Sequence, residues 1–512
     1  MPARPFTPRL EPLARSIVSG RDGNLVDQGL AFGRSFGTAW GPPAKLVSPA
    51  QVYRSGSSSL SSPGTLRLTT LKSMARSDED ERTRARDLLS LQLERTSIQT
   101  SPDGRGPFAT TDPTLRFRDF ANALSRASAA LPADRADELD LFKLGHALFD
   151  EIHDLALDKT DDACSPAYER YVEQMRRLDR VSDWLESTVR DSVERDLLRI
   201  ASSSSSTSSS ASAAAQRVFA LLSGHQIERA CAAAVEGDLL RLATLIAQAG
   251  SRHPIAKADD AFRLDVAEQL TRWREYGADV HMASSYRKVL ELVAGNTGAV
   301  PGVHAHDRAS DVEDVHVSQG LDWRRAFGVE LWYGRSAGPE LDTALRASTY
   351  AYTTASRKDT NVAPPLPRYL EDKSYLQPGD ADKSTTTWST KALRSSPRDP
   401  AYELVSLYTD ATHTLESALS PANFGSSPLD YRLPWHLYTL ISRVLRRRDF
   451  VDRTSAMPTL MSDEEPDNIA NEAMGYSARA DYVTVNYATQ LESLGLWEWA
   501  AFVLLHLEVP EL

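Results

Sequence analysis

Four groups of side chains in this 512-residue chain have types and spacings that chemistry could use. His146, Glu151, His153 and Asp154 crowd one predicted helix. His146 and His153 are seven apart and share a face across two turns, which sets them too far apart to hold one metal ion directly. A partly exposed helix surface is the plainer expectation. His304, His306 and His316 sit with Asp307, Asp311 and Asp314 in a polar loop, where loop composition accounts for them and adventitious metal binding is the rival. Cys164 and Cys231 are 67 positions apart with no CxxC, a spacing that excludes a zinc ribbon. Arg443, Arg446, Arg447 and Arg448 end a helix that begins near Pro434. Cations at a helix C-terminus are favoured by the helix dipole, so capping or a salt bridge to a partner is expected ahead of nucleic-acid contact or a localisation patch.

None of these groups makes a catalytic constellation. The chain carries no Walker-type phosphate loop, no GxGxxG after a strand, no GxSxG elbow and no HExxH. No enzyme activity, metal or cofactor is therefore expected. A net charge of −12 argues against a basic surface for nucleic acid. Two cysteines in so long a chain read as reduced residues of the cytosol or nucleus. The first residues hold no apolar stretch like a signal peptide, and Pro2, Pro5, Pro8 and Pro12 break helix there. No run of about eighteen apolar residues exists, so no membrane insertion is expected. With 41% apolar and 25% charged residues, most of the chain has the composition of a folded protein.

Residues 1–28, rich in Pro, Gly, Arg and Ser, read as a disordered leader. From Leu30 to Trp40 the pattern has period two, with Leu30, Phe32, Arg34, Phe36, Thr38 and Trp40 on one face. Gly41-Pro42-Pro43 forces a turn. Lys45-Leu46-Val47 and Thr65–Leu71 read as a second and a third short strand. Three short strands bury too little surface to stand alone. Residues 29–72 are thus expected to need a covering surface, which is either the chain's own helices or a partner's open sheet reached by strand addition.

After about residue 78 the periodicity becomes helical and stays so to the end. Leu141, Leu144, Leu148, Ile152 and Leu155 keep a three/four spacing, as do Tyr171, Met175, Leu178, Val181 and Leu185. The Ser/Thr run 202–210 has no means of burying a face and reads as a flexible insertion. Helix resumes from about Gln216, with Gly237 as a stop, and further helical blocks are predicted at about 262–276, 285–294, 321–333, 340–352, 400–419, 434–449 and 482–507. Loops are expected at 200–215, 296–318 and 354–399. Trp497, Trp499 and Phe502 form an aromatic cluster expected to pack helix on helix. No fixed short repeat is visible. The expected fold is mostly α, an irregular helical stack over residues 73–512 with a small three-stranded β element before it.

Five blocks, in order, resemble the nuclear protein 96 family of Y-complex nucleoporins. They are Gly33–Phe36 through Trp40-Gly41-Pro42; His225–Cys231 continuing to Leu239–Gly250; Leu321–Gly328 with Leu331–Gly334; Pro428–Leu437; and Leu494–Ala500. The resemblance implies a folded-back helical solenoid of the ancestral coatomer element type, with trunk, crown and tail. It implies that the N-terminal strands complete an open Sec-thirteen type β-propeller as an extra blade, which assigns Leu30, Phe32, Phe36, Trp40, Leu46, Leu66 and Leu68 to that contact. It implies a crown, mapped onto about 216–295 with Ile227, Leu239, Leu242, Leu245 and Ile246, that meets another Y-complex nucleoporin. The implied setting is the nuclear pore complex of the nucleus, in nucleocytoplasmic transport of protein and mRNA. Family members continue past the aromatic helix with further tail helices, and this chain stops at Leu512, so a shortened tail is expected. Two other function classes stand beside the scaffold reading: a vesicle-coat (coat protein complex II-like) scaffold, and a helical hydrolase, which would need polar residues converging in a pocket.

Overall fold

The computed structural model describes residues 39–41, 45–49, 66–70, 78–100, 107–126, 133–152, 166–203, 210–249, 260–302, 312–334, 341–359, 361–371, 397–425, 427–453 and 476–508. The chain divides into two units, residues 1–82 and 83–512.

The first unit holds a three-stranded antiparallel ribbon of β1 (Ala39–Gly41), β2 (Lys45–Pro49) and β3 (Leu66–Thr70), in that order. The turn expected at Gly41-Pro42-Pro43 falls between β1 and β2, and residues 42–44 lie outside the described residues. Helix α1 (Asp78–Glu94) follows and crosses into the second unit.

The second unit is helical, with one interruption that the periodicity did not show. A hairpin of β4 (Thr96–Thr100) and β5 (Pro107–Thr111) leaves the end of α1. The helical pattern read after residue 78 does not include this strand pair. β-branched Thr96, Ile98, Thr110 and Thr111 favour a pleated surface, and the hairpin is tied down when the Ala109 amide donates to the Leu505 carbonyl at 2.8 Å.

Helix α2 (Phe117–Arg126) buries Phe117, Phe120, Ala121 and Leu124, the stripe that a three/four spacing predicts. It packs on α3 (Ala133–Phe149), with Phe120 stacked on Phe142 at 5.1 Å and Phe117 on Phe149 at 5.8 Å. The contact is close because Gly145 has no side chain: a Cβ there would stand 2.1 Å from the Phe117 ring. Buried Asp150, just past α3, accepts the Phe117 and Arg118 amides and caps α2 from outside it. His146 bonds the same carboxylate at 2.7 Å. Arg177, on the 38-residue α4 (Pro166–Ser203), closes the C-terminal end of α3 by donating to the carbonyls of Ala147, Leu148 and Asp150.

Then follow α5 (Ser210–Leu222), α6 (Ile227–Glu236), α7 (Leu240–Ala249), α8 (Asp260–Glu275), a 3-10 turn (Ala278–His281) and α9 (Ser284–Val293). The insertion expected at 200–215 is shorter than that. Helix continues to Ser203 and restarts at Ser210, because Ala213, Ala214 and Ala215 are good helix formers with a face to bury. Residues 204–209 lie outside the described residues. Within 296–318, Ala299–Val300 (β6) pairs with Val315–His316 (β7).

Helix α10 (Trp323–Tyr333) is buried on every side but for Arg324, which marks it as the centre of the unit. Asp322 caps it by accepting the Arg325 amide at 2.9 Å. Arg325 reaches into the core to Asp196 of α4 and donates to the Ser223 hydroxyl at 3.1 Å. The Trp332 indole donates to Ser182 at 2.8 Å, and the Tyr333 hydroxyl donates to the Leu222 carbonyl at 3.0 Å. The His225 ring stacks on Trp332 at 4.8 Å.

Helices α11 (Leu341–Lys358), α12 (Arg368–Glu371), α13 (Pro400–Thr409), α14 (Leu415–Ala418) and α15 (Pro421–Phe424) lead to α16 (Arg432–Tyr438). Part of the 354–399 loop is therefore helical, and 372–396 lie outside the described residues. Helix α16 widens into a π-helical turn, Thr439–Val444, before the chain turns at Arg446, whose φ of 49° is left-handed. The last expected block is two helices, α17 (Ala478–Ser493) and α18 (Trp497–Leu504). Gly495, at φ 76°, makes the break, and the Leu496 amide reaches back to the Leu491 carbonyl.

The two ends of the second unit meet. Glu138 of α3 binds Arg84 of α1 and Arg432 of α16, each at 3.1 Å, and all three are buried. His436, fully buried, sits among the rings of Phe120, Trp435 and Tyr487. Neither of its ring nitrogens has a hydrogen-bond partner among the described residues.

Two outcomes are expected. Glu138→Ala leaves two buried guanidinium groups without their carboxylate, and should cost about 3–5 kcal/mol in denaturant unfolding. Burial holds the pKa of His436 well below the usual histidine value, and that of His506 at about 4. A histidine with a depressed native pKa binds its proton more readily when unfolded, so its neutral form loses stability as pH falls below about 6.5. Melting curves from pH 7.5 downward should show the wild type losing ground against His436→Phe once pH passes that value. A constant gap between the two would contradict this.

Candidate partner-binding surfaces

In the ribbon, Trp40 pairs with Leu46 and Leu46 with Thr69, while Ala39 pairs with Val47 and Val47 with Leu68. Directly paired residues share a face, and adjacent rows alternate faces. Trp40 and Leu46 therefore lie on one face by register, and Leu66 and Leu68 on the other. The seven residues assigned to a propeller contact thus do not form one row: the ribbon has two faces to place. Among the described residues β1 and β3 pair only with β2, so each has an unpaired edge. Leu30, Phe32 and Phe36 lie outside the described residues.

The helical pair α6–α7 separates its apolar residues into two sets. Ala230, Ala233, Ala234, Leu242, Ala243 and Ile246 face the core. Ile227, Leu239 and Leu245 pack partly buried against it. Leu242 is 0% exposed and Ile246 1%, so neither is on the surface expected to meet a crown partner. The exposed apolar residues here are Val235 and Leu240 (62%), either side of the turn through Gly237 and Asp238. Gly237 permits that turn to sit on α5, since a Cβ there would lie 2.4 Å from that of Ala214. Helix α8 is joined to α7 through Arg241, which donates to Gln269 at 2.9 Å and lies over the Trp273 ring. It adds exposed Leu264 and Tyr276. Helix periodicity identified the apolar stripe. It did not identify the surface residues: Val235 keeps a four-residue spacing with Ile227 and Cys231, yet the buried stripe is Ala230, Ala233 and Ala234 and Val235 lies outside it.

The polar groups singled out by spacing serve the fold. His146 is bonded to Asp150, and His316 lies 3.2 Å from Asn361. His153, His304 and His306 lie outside the described residues. The Cys231 thiol faces the Ala243 carbonyl, and burial raises its pKa, which disfavours thiolate chemistry. Arg443 pairs with Glu508 at 2.6 Å. Arg448 caps another helix than its own, donating to the carbonyls of Leu407, Asp410 and Ala411 at the end of α13. In the C-terminal aromatic cluster, Phe502 is buried with Trp499 edge-on at 6.4 Å. Trp497, expected in the helix packing, is instead 68% exposed. With Ala501 and Leu504 it lies on the outer face of α18, opposite the buried Leu496, Ala500 and Val503. Among the described residues no group of three or more His, Cys, Asp or Glu is placed to hold a metal ion.

The helices that carry four of the quoted blocks, α6–α7, α10, α16 and α18, all contribute buried residues to the core of the second unit, and residues 216–512 match the family described as Nuclear protein 96. The chain belongs to the nuclear protein 96 family. It is 29% identical over 296 residues to nucleoporin nup189 of Schizosaccharomyces pombe, covering 58% of this chain and 14% of that protein. It is 25% identical over 519 residues to the nuclear pore complex protein Nup98-Nup96 of Drosophila melanogaster, covering 97% and 22%. Against the nuclear pore complex protein NUP96 of Arabidopsis thaliana it is 25% identical over 374 residues, covering 72% and 28%. The chain therefore spans between about a seventh and about a quarter of these relatives' lengths. The names of the relatives place this family at the nuclear pore, in the nucleus. The family match begins at residue 216, so the ribbon and helices α1–α4 lie before it, whereas the Drosophila alignment runs through nearly the whole chain.

The two sets of apolar residues in this nuclear protein 96 member should separate on substitution. Leu242→Ala removes core contacts and should cost about 2–5 kcal/mol of stability. Val235→Glu and Leu240→Glu change a surface, and should move stability by no more than about 0.5 kcal/mol. Chemical denaturation of the three variants distinguishes these outcomes.

Proposed function

We propose that this chain is a structural scaffold subunit of the nuclear pore outer-ring Y-complex. On this reading the β ribbon is donated to an open Sec-thirteen type β-propeller, and the helical unit, a folded-back solenoid with trunk and crown, packs its crown against another nucleoporin. Transport of protein and mRNA is then supported by holding the pore together. The work is done by binding and not by turnover.

The observation that carries this reading is the ribbon. Three strands of three to five residues form a sheet of their own within the first unit, with both outer edges unpaired among the described residues. Such a sheet is too small to be stable alone. Adding it to another sheet supplies main-chain hydrogen bonds at its edges and pockets for alternate side chains. The two-faced register suits a blade placed between neighbouring surfaces. The second unit, by contrast, has a continuous core from α1 to α18. At the crown, Val235, Leu240, Leu264 and Tyr276 are the residues that a partner helix would cover. The names of the relatives favour the pore over a vesicle coat, which would use the same architecture.

Deleting residues 29–72 should abolish co-purification with the co-expressed propeller while circular dichroism of the helical part stays unchanged. Trp40→Ala with Leu46→Ala should weaken binding by at least about tenfold, the loss that follows from about 1.4 kcal/mol. A deletion variant that still co-elutes with the propeller on sizing chromatography would refute strand donation.

A further inference from the structure

The β4–β5 hairpin stands out into solvent along β4, where Ser97, Ile98, Gln99 and Thr100 are all exposed, Ile98 at 54%. Its hydrogen-bond alternation fixes which residues of β4 face outward. In an antiparallel pair, opposite residues alternate between bonded and non-bonded positions. The Ala109 amide points away from β4, to the Leu505 carbonyl, so Ile98 and Ala109 occupy a non-bonded position. The Asp112 amide donates to the Arg95 carbonyl at 2.7 Å, where the same alternation requires a bonded position. Pro107, which has no N–H to give, sits opposite Thr100 at the next non-bonded position. The backbone N–H and C=O groups of Ile98 and Thr100 are therefore turned to the outer edge of β4, where the described residues offer them no backbone partner.

That edge is unguarded. Native edge strands are blunted by charge, by proline or by bulges. Thr96–Thr100 carries no charge and no proline, and Thr96, Ile98 and Thr100 are β-branched. The strand reads Thr-Ser-Ile-Gln-Thr, which matches itself when reversed about Ile98. A two-fold axis at Ile98 sets Ile98 against Ile98, Thr96 against Thr100 and Ser97 against Gln99, apolar opposite apolar and polar opposite polar. Because Ile98 turns its N–H and C=O outward, the same axis makes the central pair a bonded one, with donors and acceptors in matching positions on both strands. Self-complementarity of this kind is what a contact between two identical copies requires. A strand of unrelated sequence would find no charge here to recognise.

We propose that β4 is a self-association edge, pairing antiparallel with the β4 of a second copy of this chain to make a four-stranded sheet about the axis. The contact is one short strand long. It falls below the roughly 1,000 Å² of a stable specific interface, so it is reversible and acts where copies of the chain are already held near one another. It uses neither the ribbon of the first unit nor a propeller, and stands apart from that reading.

The test is disulfide trapping of the full-length chain in a Cys164→Ser, Cys231→Ala background under mild oxidation. Cα atoms across a bonded position lie about 5.5 Å apart, within the span of a disulfide. Ile98→Cys should form a covalent dimer at least about tenfold faster than Leu198→Cys, a control at a site more exposed still, at 71%, because pairing raises the local thiol concentration. Register supplies a second readout. Ser97→Cys and Gln99→Cys face each other across the axis, while each lies about 7–8 Å diagonally from its own copy, beyond a disulfide's reach. Mixed in equal amounts, these two variants should give mainly the mixed dimer by mass spectrometry, which random collision or pairing of ribbon edges would not do. Circular dichroism should be the same for all four variants. Trapping of Ile98→Cys no faster than of Leu198→Cys, or like dimers formed as readily as the mixed one, would overturn the proposal.

Discussion

The helical unit depends on α10 being enclosed by its neighbours. A helix with apolar residues nearly all round has no stable place at a surface, so α4, α5 and α11 must assemble about it. Arg325 makes that burial conditional. Its guanidinium, 2% exposed, is held in the core only because Asp196 and Ser223 come from α4 and the end of α5 to meet it. Trp332 and Tyr333 add hydrogen bonds to the same two helices. Directional bonds of this kind specify one arrangement, where apolar packing alone would tolerate several.

A second feature repeats along the unit: helix ends are closed by side chains from elsewhere. Asp150 caps α2, Arg177 closes α3 and Arg448 closes α13. Each partner lies at least 27 residues away in the chain. A stack of short helices exposes many orphan amides and carbonyls, and distant caps satisfy them while locking one helix to the next. The Glu138 triad does the same between the unit's two ends. Charged or hydrogen-bonded links between helices are directional, and resist sliding better than a smooth apolar seam does.

Much of this was legible from residue order. The mostly helical class, the blocks at 262–276, 285–294 and 321–333, and the stop at Gly237 follow from period and from glycine's conformational freedom, which are local properties. The strands at Leu46 and at Leu66–Leu68 were legible for the same reason. What misled was equally specific. The β4–β5 hairpin is short and polar, so its period is hidden. Ala213–Ala215 looked like a continuation of the serine run, and only a helix face to bury against reveals them as helical. Trp497 shares its helix with Phe502 but not its environment.

By itself the amino-acid sequence determined the fold class, the separation of a short β ribbon from a long helical body, and, through five blocks in order, the family. Those are encoded in spacing and identity over a few residues or turns. Tertiary structure alone decided which residues of the α6–α7 pair are core and which are surface, which face of the ribbon each apolar residue takes, and that Arg448 serves α13 rather than its own helix. These are matters of burial and of partners up to 294 positions away. No local pattern records what a side chain will meet once the chain has doubled back on itself.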